Sequence, residues 1–178
     1  MKITAVLGSS RAGSVSKKIA QAFLQAAEDA GHEVTVFDAE AMRLKGCTGC
    51  KSCRQNGTLC VIQDDMPKYY RSLETADVLL LSAPNYYGNI CGPMITFMNR
   101  HYCLKDQEGR SKIKEGIRLF AVFAQGAPEN YPKYKDTYNW YLNVFEKLGF
   151  QKESVINAGG NSDVASLCRQ AQALAKSL

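Results

Sequence analysis

Apolar residues in this chain follow two rhythms, short unbroken runs and longer stretches with apolar positions three and four apart, and their alternation predicts the architecture. Lys2 to Leu7 (KITAVL) is an apolar run halted at Gly8, the pattern of a strand buried on both faces. Val15, Ile19, Ala22, Phe23, Ala26, Ala27 and Ala30 then recur at helical spacing, and Gly31 supplies a stop. Glu33 to Asp38 (EVTVFD) reads as a second strand, so the chain opens with the unit that starts a doubly wound parallel sheet. Asp77 to Ser82 and Arg118 to Ala124 read as strands three and four, and Ser154 to Ala158 as a weaker fifth. Helices are predicted over Pro67 to Thr75, over Gly92 to Tyr102 with Met94, Phe97, Met98 and Tyr102 on one face, over Tyr131 to Leu148, and over Ser162 to Lys176 with Val164, Leu167, Ala171 and Leu174 at helical spacing. The expected fold is an α/β three-layer sandwich with a five-stranded parallel sheet in the order 2-1-3-4-5. Its ligand crevice falls at the carboxyl ends of strands one and three.

Composition adds bounds. With 178 residues, 46% of them hydrophobic, the chain suits one domain with a substantial core. No repeat, low-complexity tract or linker divides residues 1–178, although residues 39–65 show no regular element, and a loop of that length usually has a function or is disordered. The apolar run at the N-terminus is too short for a signal peptide, and none approaches the ~20 residues of a membrane span. A soluble, cytoplasmic, reducing setting is expected. The net charge of +5 is mild, with Lys and Arg spread along the chain, which favours small anionic ligands over nucleic acid.

Three loops follow strands at the expected rim. The first, Gly8 to Ser16, lacks the endings of a Walker loop or a dinucleotide fingerprint, but it sets hydroxyls and backbone N–H groups at the start of a helix, where the dipole favours an anion. Ser9, Ser10, Arg11, Ser14, Val15 and Ser16 are therefore candidates to hold a terminal phosphate; the plainer reading is that they only cap the helix. In the second loop, Pro84, Asn85, Tyr86, Tyr87, Gly88 and Asn89 offer amides and aromatic faces to a flat heterocycle, or form a turn with two packed aromatics. Gln125 and Gly126 begin the third. Together the loops describe a site for flavin mononucleotide (FMN), a phosphate monoester, rather than FAD.

Four of the seven cysteines, Cys47, Cys50, Cys53 and Cys60, crowd one segment with the spacing C-x2-C-x2-C-x6-C. Consecutive C-x2-C steps suit an iron-sulfur cubane; structural zinc more often takes two separated knuckles, and disulfides would need an oxidising compartment. Lys45, Lys51 and Arg54 would offset the charge of four thiolates. Asp65, before Met66 and Pro67, reads as a helix N-cap. His32 and His101 are too far apart for a metal pair, and Cys91, Cys103 and Cys168 read as small packed residues. Trp140 and the tyrosines from Tyr131 to Tyr141 suggest core or a subunit contact.

GSSRAGSVS after strand one, the cysteine run, the DDM of Asp64 to Met66 and APNYYGNICGPMITFMNR from Ala83 to Arg100 resemble the NADPH-dependent FMN reductase and iron-sulfur flavoprotein group of the flavodoxin-like fold, over almost the whole chain. The family's last motif usually reads S-P-x-Y-x-G-x-x-S-G-P-L-K-x-F-x-D-R; here Cys91 replaces the Ser, Ile95 the Lys and Asn99 the Asp. The resemblance implies an FMN-dependent oxidoreductase, a nicotinamide cofactor or protein as electron donor, and a homodimer or homotetramer with each flavin near a subunit boundary. For relatives with such cysteine runs it implies a [4Fe-4S] cluster. The flavin carries the chemistry, so no catalytic side chain is named. Two alternatives belong to other classes: a non-catalytic electron carrier like flavodoxin, and a zinc or thiol redox-sensing module.

Overall fold

In the computed structural model, which describes residues 1–178, the elements run β1 (Lys2–Leu7), α1 (Val15–Asp29), β2 (Glu33–Asp38), α2 (Ser52–Gln55), α3 (Met66–Thr75), β3 (Val78–Tyr86), β4 (Asn89–Ile90), α4 (Gly92–Asn99) with a 3-10 turn over Arg100–Leu104, β5 (Arg118–Ala124), α5 (Pro132–Glu146), β6 (Gln151–Ala158) and α6 (Val164–Lys176). The parallel strands stand in the order β2-β1-β3-β5-β6, which is the flavodoxin-like arrangement expected. A sixth strand, the two-residue β4, pairs antiparallel with the end of β3.

Strand three runs four residues further than the apolar run of the sequence suggested. Ala83 and Pro84 still pair with Phe123 and Ala124 of β5, and the Pro84 carbonyl accepts from the Cys91 N–H at 3.1 Å, so part of the expected loop is strand. Helices α1 and α6 cover one face of the sheet around Phe23, Phe120, Leu80 and Ile156. On the other face α3, α4 and α5 enclose the larger core, an aromatic cluster of Tyr69, Phe97, Tyr141 and Phe145 around His101. His101 is buried there, hydrogen-bonded to the Tyr69 hydroxyl at 2.9 Å and the Phe97 carbonyl at 3.0 Å. Burial pushes its pKa down to about 4, so the ring is neutral near pH 7.

Two predicted elements differ in detail. The helix expected to reach Tyr102 ends at Asn99 and tightens into the 3-10 turn; at three residues per turn the i+4 register is lost, so Tyr102 swings outward to 46% exposure while Cys103 and Leu104 turn inward. Residues 39–65 contain the one-turn helix α2 where no regular element was expected. Lys51 enters it at φ 60°, and Gly49 and Gly57 flank it in the same left-handed region.

Candidate cofactor cleft and cysteine loop

The carboxyl ends of β1, β3, β5 and β6 open into one cleft of about 240 Å³. Its floor is set where β1 ends: the Gly8 N–H donates to the Ser82 carbonyl at 2.7 Å, and a Cβ on Gly8 would lie 2.1 Å from Met94 Cγ, so only glycine lets the first loop pass α4. Across the cleft, a Cβ on Gly159 would meet the Glu129 backbone N at 2.2 Å, and one on Gly160 the Gly126 carbonyl at 2.3 Å. The loops after β5 and β6 thus pack backbone to backbone and form one wall.

Nine of the fourteen residues singled out from the sequence line this cleft: Ser9, Arg11, Ser14, Val15, Pro84, Asn85, Tyr86, Gln125 and Gly126. Five lie elsewhere. Ser10, Tyr87 and Asn89 are exposed, Gly88 is half-buried beside Tyr134, and Ser16 is buried in α1 with its hydroxyl 3.1 Å from that of Ser14. Tyr87 takes φ 56° at the tip of the β3–β4 hairpin, which throws its ring fully into solvent. Ser14 does cap α1, accepting from the Lys17 N–H at 3.3 Å, and it also faces the cleft, so capping and ligand readings coexist in one residue. The loop after β6, with Gly159, Gly160 and Ser162, escaped the sequence reading. Its signal was the Gly-Gly pair between a strand and a helix.

Two polar groups on β3 stand out. Asn85 Nδ2 is buried without a well-formed hydrogen bond, although it lies near the Tyr138 hydroxyl, and the Ser82 hydroxyl, a few residues back along β3, is buried without a partner. Gln125, by contrast, is satisfied internally: its Oε1 accepts from the Tyr138 hydroxyl at 2.7 Å and its Nε2 donates to the Pro128 carbonyl at 2.6 Å. Burial pushes Tyr138 up to about 12, so it stays a donor and fixes the Gln125 amide. Gln125 therefore shapes the wall with its side chain committed.

The cysteine stretch is closed at its neck by a buried ion pair. Arg100, in the turn after α4, pairs with Asp64, and both side chains are fully out of solvent. The Arg100 guanidinium also donates to the Lys45 carbonyl at 2.7 Å, while Asp64 accepts from the N–H groups of Lys45 and Met66, each at 3.1 Å. Burial opposes the Asp64 charge, and the Arg100 and backbone hydrogen bonds outweigh it, holding the carboxyl below its usual range. Asp65 makes no side-chain cap to α3, contrary to expectation; its carboxylate accepts from the Arg43 N–H at 2.8 Å, and Asp64 bonds the first helical N–H instead. The reason is geometric: Asp65 sits at φ −87°, ψ −5°, already helical, so its side chain turns away from the helix start.

Beyond the neck the four thiols part company. Cys47 and Cys50 are exposed, Cys53 is buried in the larger core and Cys60 is half-buried against it. Hydrogen bonds from Ser52, foremost, and from Thr48 lower the Cys50 pKa. No three Cys, His, Asp or Glu side chains converge into a metal-holding group. The donor types suit an iron-sulfur cluster, but the thiols as placed do not form its cage.

A parallel sheet in the order β2-β1-β3-β5-β6, with its loops converging on one cleft at the carboxyl edge, defines a flavodoxin-like fold. Residues 1–121 match the NADPH-dependent FMN reductase family, and the chain belongs to it. Among relatives, it is 36% identical over 100 residues to an iron-sulfur flavoprotein of Archaeoglobus fulgidus, covering 56% of this chain and 45% of that one. With an iron-sulfur flavoprotein of Methanosarcina thermophila it shares 33% identity over 119 residues, 67% of this chain and 62% of the relative. The matches thus span about half to three fifths of these relatives' lengths. Among solved structures, an NAD(P)H:quinone oxidoreductase from Methanothermobacter marburgensis superposes with a TM-score of 0.79 at 14% identity, covering 99% of this chain and 94% of the other, a likeness of fold. No helix is long and apolar enough to cross a membrane.

Proposed function

We propose that the chain is an FMN-dependent oxidoreductase that takes electrons from a nicotinamide cofactor, or from a protein donor, and passes them to a second acceptor. The observation that carries this reading is the convergence, in one cleft, of the Ser9 to Ser14 loop at the start of α1 with the unpartnered Asn85 amide on β3. A phosphate suits the loop, because α1 begins with no acidic residue in its first turn and the first N–H groups of a helix lack partners within it. Asn85 Nδ2 then donates to an acceptor on the polar edge of a heterocycle, and Tyr86, 44% exposed at the rim, covers part of a ring face. Gly126, Gly159 and Gly160 line the cleft, and the close packing of the last two on the loop after β5 shapes its wall. Bound FMN supplies hydride acceptance and electron release; the residues named here bind and orient it.

The same reading includes self-association. Tyr131 just before α5, Trp140 on α5 and Val155 on the edge strand β6 are exposed, and we assign this surface of α5 and β6 to a homodimer or homotetramer contact.

A second reading gives the cysteine loop a [4Fe-4S] cluster held by Cys47, Cys50, Cys53 and Cys60. The four-cysteine spacing and the names of the two relatives support it; the arrangement described above requires Cys47 and Cys50 to turn inward first. Anaerobic purification with iron, sulfide and flavin analysis separates the readings. About four irons and four sulfides beside one FMN per chain would establish the cluster. FMN with no iron after reconstitution would leave a flavin-only reductase, and iron or zinc without FMN would overturn the proposal.

A further inference from the structure

We propose that Cys60 and Cys103 form a hydroperoxide-sensitive thiol pair that closes a disulfide beneath the cysteine loop. Cys103 belongs to no motif and lies forty-odd residues away in sequence, in the 3-10 turn that follows α4. The fold brings it to the loop. The second half of the loop is docked along residues 102–112: Arg54 stacks 4.5 Å over the Tyr102 ring, Gln107 Nε2 donates to the Gln55 carbonyl at 3.0 Å, and Lys112 Nζ donates to the Thr58 carbonyl at 3.0 Å. Leu59 and Leu104, the chain neighbours of the two cysteines, line the same small cavity of about 70 Å³ with Tyr70. The Cys103 thiol donates to the Arg100 carbonyl at 3.3 Å and lies beside the backbone N–H of Cys60.

Exposure assigns the roles within the pair. Cys103 is 1% exposed and packed in the core, whereas Cys60 is half-buried, so of the two a small oxidant reaches Cys60 first. Cys47 faces a separate open hollow with Asn99 and Tyr102. The chemistry takes two steps. The Cys60 sulfur attacks one oxygen of a hydroperoxide, ROOH; the O–O bond breaks, ROH leaves, and Cys60 becomes a sulfenic acid. The Cys103 sulfur then attacks the Cys60 sulfur, the S–O bond breaks, and water leaves as the disulfide forms. Two thiols and one hydroperoxide give one disulfide, one alcohol and one water. Closing the bridge requires Cα atoms about 4.4–6.8 Å apart, a requirement that the peptide map tests. The inference rests on the flavin-only reading, because a cluster ligated by Cys60 would withhold that thiol; iron analysis of the same sample tells failure of that reading from failure of the pair.

Peptide mapping tests it. The purified protein is treated with tert-butyl hydroperoxide, denatured in iodoacetamide and digested with trypsin without reduction. Trypsin cuts after Lys45, Lys51, Arg54, Lys68, Arg100 and Lys105, which places Cys47 with Cys50, Cys53, Cys60 and Cys103 on four different peptides. The expected product links the Cys60 peptide to the Cys103 peptide. In Cys103→Ala the link is lost and Cys60 is carried on to sulfinic acid, while FMN content is unchanged. Cys60→Ala, at the half-buried site, should leave Cys103 fully alkylated, and it serves if the core variant does not fold. Crosslinks confined to Cys47, Cys50 and Cys53, or wild-type Cys60 reaching sulfinic acid as fast as in Cys103→Ala, would overturn the proposal.

Discussion

Asn85 shows how one side chain carries a functional prediction that its neighbours do not. Its Nδ2 makes no well-formed hydrogen bond in the protein, so truncation to Ala removes a donor whose best use is to a ligand. We expect Asn85→Ala to weaken FMN binding by about tenfold, roughly the 1.5 kcal/mol of one such hydrogen bond, with the thermal midpoint of the flavin-free protein unchanged. Fluorescence titration and calorimetry on the same variant check both halves. Gln125 is the contrast: with both amide ends used inside the fold, Gln125→Ala should lower stability first and affinity second. At the same scale, His101 ties stability to pH. A base whose folded pKa lies below its unfolded value of about 6.5 favours the unfolded state once protons bind there, so its contribution is intact above about pH 6.5 and is lost as pH falls toward the folded value of about 4. Urea unfolding should register a loss of about 3 kcal/mol over that window, and His101→Phe should flatten the slope. Unchanged pH dependence in that variant would contradict the assignment.

Elements were legible in the sequence where one rhythm dominated, and less so where two structures share a residue. The buried strands β1, β3 and β5 and the amphipathic α1 stand out because each repeats a single period over its length. The reach of β3 into Tyr86 did not, because Pro84 and the following polar residues look like a turn until β5 and Cys91 supply the pairing. Ser9, Ser14, Asn85 and Tyr86 could be nominated from their positions after predicted strands; the Gly159–Gly160 wall could not, since its role depends on contact with a loop thirty-odd residues earlier. The Asp64–Arg100 clamp was equally hidden, as ion pairs between distant segments leave no local pattern. It gives an element-scale prediction. Asp64→Asn leaves the Arg100 charge buried without its partner and should cost about 3–5 kcal/mol. It should also release the loop neck, which limited trypsin digestion at Lys51 and Arg54 would detect as faster cleavage than in the wild type. Cleavage at the wild-type rate would mean that the neck is held elsewhere.

At the scale of the molecule, the sheet order brings nine of the fourteen candidate contacts into one cleft at its carboxyl edge. Loops from β1, β3, β5 and β6 reach the cleft from both sides of the sheet's reversal of direction, and the α4 segment links that cleft to the neck of the cysteine loop through Cys91, whose thiol bonds the Gly8 carbonyl at 3.1 Å, and Arg100. Closure of the β5 and β6 loops depends on glycine, so Gly160→Ala should disturb the whole wall and reduce FMN affinity by more than Asn85→Ala does. The central claim is that this cleft binds FMN through a terminal phosphate. Titration of the flavin-free protein with FMN, riboflavin and FAD tests it most directly. The account predicts stoichiometric FMN binding, with riboflavin weaker by at least the 1.5–3 kcal/mol of a charge-assisted hydrogen bond and FAD disfavoured. Equal affinity for FMN and riboflavin, or a preference for FAD, would contradict it.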